Sequence, residues 1–243
     1  MSRRAILPVM DWLEPQNFFS LNEFDHAALF REGQPVFAAI GSALDDYLSA
    51  WSRWDIETAL PPGVHVLGGP IAIGPECRIE PGAVLRGPLI IGEGCEIRTG
   101  AYLRGRIVTG RGCVVGAHSE VKGTILLDRA HAPHQNYVGD SILGADVNLG
   151  AGTILSNVKN VGREIDLRHD GTVVHTGLRK LGAILGDGCR TGCNAVLNPG
   201  TLMGPGCVVY PNATLRSGFY PAGTLVKVRQ VQQQVILDGA RYT

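Results

Sequence analysis

The chain has 243 residues, enough for one large domain or one domain with a small appendage. Its 22 Lys and Arg balance 22 Asp and Glu, so no net field draws it to nucleic acid or to an acidic membrane surface. No apolar run approaches the ~18–20 residues of a membrane span. The start has two arginines but no long apolar core or cleavage-type site, so it does not read as a signal peptide and the expected compartment is the cytoplasm.

Residues 1–65 differ in composition from the rest. They hold only Gly33, Gly41 and Gly63, most of the aromatic residues, and all three tryptophans. Ser20 and Glu23 have the spacing of a capping box for a helix through Ala28. Pro35 opens a second candidate through Trp51, with Phe37, Ile40, Leu44, Tyr47 and Leu48 on one face. The segment is expected to be a small helical cap over the first coil of a solenoid that begins near Val66, because an open solenoid end exposes apolar core and unpaired edges.

The solenoid reading rests on a repeat. Stepping by six from Ile73 gives Ile79, Leu85, Ile91, Ile97, Leu103, Thr109, Val115 and Val121, a register that a helix period of 3.6 cannot keep. A second series lies four residues later and runs Cys77, Ala83, Leu89, Cys95, Ala101, Ile107, Cys113, Ser119, Ile125. Small, small, large recurs every 18 residues, so three hexapeptides make one coil whose short strands stack about 4.8 Å apart. Pairs such as Gly74-Pro75, Gly92-Glu93 and Gly110-Arg111 turn the corners. With 33 glycines among 243 residues, about twice the usual ~7%, the chain has regular turns rather than a flexible linker.

The step of six resumes at Leu143, Leu149 and Leu155, and again from Leu185 through Leu215. Between these blocks, residues 158–182 break register. There Glu164–Arg168, an Asp170-Gly171 turn and Thr172–His175 read as a β-hairpin insertion standing off the coil. The expected organisation is a cap over 1–65, a parallel β-helix over 66–225 and a tail over 226–243, with strand and helix both open for the tail. Cys77, Cys95 and Cys113 are one coil apart, as are Cys189 and Cys207. They read as small buried fillers, since no CxxC-type metal cluster exists.

The segment from Arg104 to Asn157 carries a more specific signal: Tyr102-Leu-Arg104, Glu120-Val-Lys122, His134-x-x-Tyr137-x-Gly-Asp140, and Asn148-Leu-Gly-Ala-Gly-Thr153 followed by Asn157. It resembles the acetyltransferase half of the bifunctional N-acetylglucosamine-1-phosphate uridylyltransferase/glucosamine-1-phosphate acetyltransferase, and related archaeal sugar-1-phosphate nucleotidylyltransferases. The run from Arg179 to Asp187 is similar to the archaeal branch, which also carries a loop before it. The resemblance implies a mainly β fold, a single-stranded left-handed parallel β-helix, a homotrimer with sites in the grooves between coils, and a place in amino-sugar metabolism such as UDP-GlcNAc biosynthesis.

It also implies roles. His134 occupies the general-base position. Arg104 and Lys122, one coil apart, match positions that bind a sugar phosphate, and two cations so placed can clamp one. Tyr137 and Asn148 would orient sugar hydroxyls or the amine, and Glu120 and Asn157 would position the histidine and the acceptor. The Ala151 backbone and Cys193 would meet the acyl donor, acetyl-CoA, with no metal required. The chemistry suits these groups: an attacking amine must lose a proton, and histidine titrates near neutrality.

The expected function is therefore an acyl-CoA-dependent N-acyltransferase, an N-acetyltransferase on an amino-sugar phosphate such as glucosamine-1-phosphate or on a nucleotide sugar. No Gly-rich nucleotide loop precedes residue 66, so uridylyl transfer is not expected of this chain. After Asn157 the bacterial pattern of an aromatic and a lysine is replaced by Val158-Lys159-Asn160, which leaves the acceptor open and Lys159 or Arg163 as substitute cations. The alternative is a non-catalytic trimeric scaffold or sugar-phosphate-binding subunit. A zinc-dependent carbonic anhydrase reading would use His118, His131 and His134, but the spacing of two histidines separated by four residues is absent.

Overall fold

The structure, a computed structural model, describes residues 11–229 and 231–234. From His65 to Val226 the chain winds as a mainly β parallel solenoid that matches a left-handed β-helix. Each turn contributes one strand of two to four residues to each of three eight-stranded parallel sheets. Sheet I begins with His65–Leu67, sheet II with Ile71–Ile73 and sheet III with Arg78–Ile79. In the sheet I strands Val84–Arg86, Tyr102–Arg104, Glu120–Lys122 and Tyr137–Gly139 the central residues, Leu85, Leu103, Val121 and Val138, point into the solenoid and are fully buried. A narrow core of stacked aliphatics results, and its coil-to-coil backbone pairing comes directly from the repeat.

The early coils pair 18 residues apart, as Val84 with Tyr102. Two later coils are 17 residues long: Val108 pairs with Ile125, and Ile125 with Ile142. The step of six therefore lapses between Val121 and Leu143. The shorter turn also changes which face Ile125 presents. The repeat places it inside, but Thr124 takes the interior position and Ile125 packs outside, in the cluster that holds Phe18 and Leu44.

That outer cluster overturns the end-cap expectation. The N-terminal segment lies lengthwise along sheet II, with Ala72, Ile90, Val108, Ile142, Ile184 and Leu202 beneath it. It runs from the last coils back to the first. Trp12 and Phe18 pack on Phe219, Asp45 pairs with Arg106, and Asp25 with Arg111. Residues 55–57 then join the first coil, where the Ile73 amide donates to the Asp55 carbonyl at 2.9 Å and the Glu57 amide to the Ile73 carbonyl at 2.8 Å. The open end is met by this bridge and by Leu60 and Val64, which pack on the inner core. Aliphatic residues on both sides of the sheet II strands dictate the arrangement: a strand that is apolar on both faces must be covered on both.

No helix forms at Ser20–Ala28; a 3-10 turn spans Ala27–Leu29. The second candidate divides into a 3-10 turn over Val36–Ala39 and an α-helix over Ser42–Ala50 that buries Leu44 and Leu48. The hairpin forms at the expected place, Asp166–His169 against Thr172–His175, but it does not stand off the coil. Ile165 and Leu167 are fully buried, and His169 sits between Trp12 and Phe219 with ring centroids 5.0 and 4.9 Å away. Two apolar residues at the root of the hairpin pull it onto the covered face.

At the far end, Gly218–Tyr220 and Leu225–Val226 continue the solenoid as strands. Residues 227–229 and 231–234 of the tail, left open between strand and helix by the sequence, form neither, and the rest of the tail lies outside the described residues. Five cysteines are buried, their thiols donating to backbone carbonyls of the following coil, as Cys95 to Gly110 at 3.2 Å; Cys193 alone is exposed. Among the described residues no helix is long and apolar enough to cross a membrane.

Candidate functional site

Sheet I and its corner with sheet III gather most of the residues singled out by sequence. The outward position that is Tyr102 in one coil is Glu120 and then Tyr137 in the next two. The neighbouring outward position is Arg104, then Lys122, then Gly139. Arg104 donates to Glu120 at 2.5 Å, and this ion pair holds its guanidinium above the usual arginine range. Lys122 donates to the Asp140 carboxylate at 2.8 Å, and the Asn157 amide donates to the same oxygen at 2.5 Å. The Tyr137 hydroxyl in turn donates to Asn157 Oδ1 at 3.3 Å.

Lys122, Asp140, Asn157 and Tyr137 thus form one hydrogen-bonded chain, in which Asp140 is 3% and Asn157 7% exposed. Arg104 and Lys122, the two cations singled out by sequence, are each neutralised by a carboxylate. Burial, and then the negative charges of Glu120 and Asp140, push the Tyr137 phenol above its ordinary pKa, so it acts as a neutral donor.

Gly139 makes this packing possible. A Cβ there would lie 2.8 Å from the Tyr137 hydroxyl oxygen and 2.9 Å from Asn157 Nδ2, so a side chain would force the pair apart. Asp140 and Gly139 are within the motif read from sequence, yet the motif gives neither a site role. The signal for Asp140 is a carboxylate next to a required glycine, in register with a lysine.

His134 ends the sheet III strand His131–His134, and its side chain is exposed at the corner leading into sheet I. Its carbonyl accepts the Gly152 amide at 3.0 Å, the Ala151 carbonyl accepts the Asn194 amide at 2.8 Å, and the Cys193 carbonyl accepts the Asn212 amide at 2.9 Å. His134, Ala151 and Cys193 therefore stand at the same corner of three successive coils. Gly116 permits the strand to reach this position, because a Cβ would fall 1.5 Å from the Pro133 carbonyl oxygen.

Asn148 does not join the group. It is exposed on sheet III, where its cross-strand neighbours are His131 and Arg190, while Tyr137 and Asn157 belong to the sheet I face. Three clefts of about 720, 400 and 790 Å³ lie along the N-terminal segment, and none is lined by any of these residues. Among the described residues no group of three His, Cys, Asp or Glu side chains is placed to hold a metal ion, so His118, His131 and His134 do not converge. A second polar residue missed by sequence reading, Asn136, is buried beneath the His134 corner.

The family model for the GMPPB C-terminal domain matches residues 85–179, which include Arg104, Glu120, Lys122, His134, Tyr137, Asp140, Ala151 and Asn157 but not Cys193. Over 90 residues the chain is 38% identical to the bifunctional sugar-1-phosphate nucleotidylyltransferase/acetyltransferase of Sulfurisphaera tokodaii, covering 37% of this chain and 22% of that protein. Over 87 residues it is 37% identical to the bifunctional protein GlmU of Methanococcus vannielii, covering 36% of this chain and 21% of that one.

The chain resembles the hexapeptide-repeat acetyltransferase domain of GlmU-type proteins. The matched block spans about a fifth of the length of these curated relatives. Among solved structures, the Arabidopsis UDP-N-acetylglucosamine acyltransferase aligns with a TM-score of 0.40 and 14% identity, over 68% of this chain and 67% of that one.

Proposed function

We propose that this chain is an acyl-CoA-dependent N-acyltransferase, specifically an N-acetyltransferase acting on an amino-sugar phosphate such as glucosamine-1-phosphate or on a nucleotide sugar. The observation that carries the reading is the corner column. An exposed imidazole stands at the same corner as the candidate acyl-donor residues Ala151 and Cys193, three residues before Tyr137 of the polar chain formed with Lys122, Asp140 and Asn157. His134 and Ala151, with the polar chain, fall within residues 85–179, the block matched by the GMPPB C-terminal domain model, and Cys193 lies beyond it.

In the proposed reaction His134 accepts a proton from the substrate ammonium or the attacking amine. The amine nitrogen forms a bond to the thioester carbonyl carbon, the carbon–sulfur bond breaks, and the departing CoA thiolate takes the proton back from the His134 imidazolium to leave as the thiol. Tyr137 and Asn157 orient the sugar, and holding both substrates along one corner supplies the proximity. Arg104 and Lys122 reach the sugar phosphate by exchanging part of their contact with Glu120 and Asp140 for phosphate oxygens.

Asn148 faces away from the sheet I cluster, so if it serves the same acceptor it does so from a second copy. A homotrimer packed through the open faces I and III would supply it, with sheet II already covered. The test is release of CoA thiol from acetyl-CoA with glucosamine-1-phosphate, against a no-acceptor blank because Cys193 is exposed. His134→Ala is expected to lower turnover about 10²–10⁴-fold, the contribution of a general base. Normal turnover by that variant would sink the assigned mechanism.

The neutralised cations favour a second reading, a sugar-phosphate-binding scaffold without turnover. Calorimetric binding of glucosamine-1-phosphate by a wild type that is inert across a panel of amino sugars would establish it instead.

A further inference from the structure

Each passage from sheet III to sheet I ends on a residue that points into the solenoid. It is alanine at Ala83, Ala101, Ala195 and Ala213, but Ser119, Asn136 and Thr153 in the three coils around His134. Alanine satisfies the packing at the other corners, so the larger amide at Asn136 is not what the repeat demands. Asn136 is 2% exposed, and every polar group it carries has a partner. Its Oδ1 accepts the His134 amide at 3.1 Å, and its Nδ2 donates to the Gly150 carbonyl at 2.8 Å. Its own amide donates to Ser119 Oγ at 3.0 Å, and its carbonyl accepts the Glu120 amide at 2.8 Å.

One side chain therefore ties the backbone of His134 to the corner that begins at Gly150 and includes Ala151. The His134 carbonyl is held from the other side by Gly152. We propose that Asn136 is a positioning residue for acyl transfer: its amide fixes His134 relative to the corner formed by Gly150, Ala151 and Gly152. The inference rests on the acyltransferase reading. A buried amide satisfied at both ends is a rigid tie, because breaking either bond leaves a polar backbone group without its partner. A shift of about 1 Å in a reacting group is enough to cost about 10²-fold in rate.

The repeat itself supplies the control variant. Asn136→Ala installs the residue found at the equivalent corners, so the fold has a known way to accommodate it. Asn136→Asp keeps the volume and the acceptor for the His134 amide, but removes the donor to Gly150. With acetyl-CoA and glucosamine-1-phosphate, Asn136→Ala is expected to lower kcat about 10–100-fold with the acceptor KM unchanged. Asn136→Asp should retain more activity than Asn136→Ala.

The exchange rate of the His134 amide, followed by NMR in the same samples, should rise in Asn136→Ala and stay protected in Asn136→Asp. Wild-type kcat in a folded Asn136→Ala protein overturns the inference while leaving the acyltransferase reading intact. A loss of kcat that tracks a fall in melting temperature across both variants, without selective exposure of the His134 amide, also overturns it. A wild type without turnover removes the acyltransferase reading itself and this inference with it.

Discussion

Sheets I and II are built by the same repeat on the same core, yet their outward rows have opposite chemistry. On sheet II the row is Ala72, Ile90, Val108, Ile125, Ile142, Ile184 and Leu202, all buried under the N-terminal segment. On sheet I the corresponding surface carries Arg104, Glu120, Lys122 and Tyr137. The inward rows are interchangeable; the outward rows decide that one face receives a cover and the other is left without one. In a solenoid the core specifies the architecture, and the second face of each strand specifies what the architecture is for.

The sharpest way to break this contrast is to weaken the cover. Phe18 is fully buried between Phe19 and Phe219. Phe18→Ala is expected to cost about 3–5 kcal/mol in urea unfolding, and a loss under ~1 kcal/mol would mean that the segment adds little to the solenoid.

On the open face, Lys122→Met leaves the buried Asp140 carboxylate with Asn157 as its remaining side-chain donor. The expected cost is about 3 kcal/mol, recovered in large part by adding Asp140→Asn. The solvent-exposed pair of Arg129 and Asp146 is the reference, and Arg129→Ala should cost less than about 1 kcal/mol. Equal losses for Lys122→Met and Arg129→Ala would show that the polar chain of the site is not pre-organised.

The smallest effect separates the faces by pH. His26 lies inside the cover, bonded to Tyr47 at 2.8 Å, and burial lowers its pKa below the ordinary 6.5; Asp25 and Asp128 oppose the shift and Arg53 adds to it. As pH falls past 6.5 the unfolded chain takes up the proton first. Stability contributed by neutral His26 is thus complete above 6.5 and is lost as pH falls through the lowered folded value. His26→Gln should flatten the fall in melting temperature between pH 7 and 5, and an unchanged slope would remove His26 as the cause.

Much of the candidate site was legible because its residues recur at fixed steps along one strand row. Arg104, Glu120 and Tyr137 fall on sheet I, and His134, Ala151 and Cys193 on one corner, for that reason. The place of Asn148 was not legible: the chain turns the corner between Asn148 and Ala151, so within one copy the two belong to different surfaces. Asp140, Gly139 and Asn136 were missed since their importance lies in contacts across coils, with Lys122, Asn157 and Gly150, that no linear spacing reveals.

The sequence by itself determined the solenoid. A period of six with aliphatic residues inside and glycine at the turns has one economical backbone solution, and local stacking suffices to express it. Only the tertiary structure decided where residues 11–57 go and which sheet they cover. It also decided that the hairpin folds onto the covered face and that two 17-residue coils turn Ile125 outward. Those outcomes depend on the fit between surfaces far apart in the chain, Phe18 against Phe219 and Asp45 against Arg106, and a repeat pattern carries no record of such pairings.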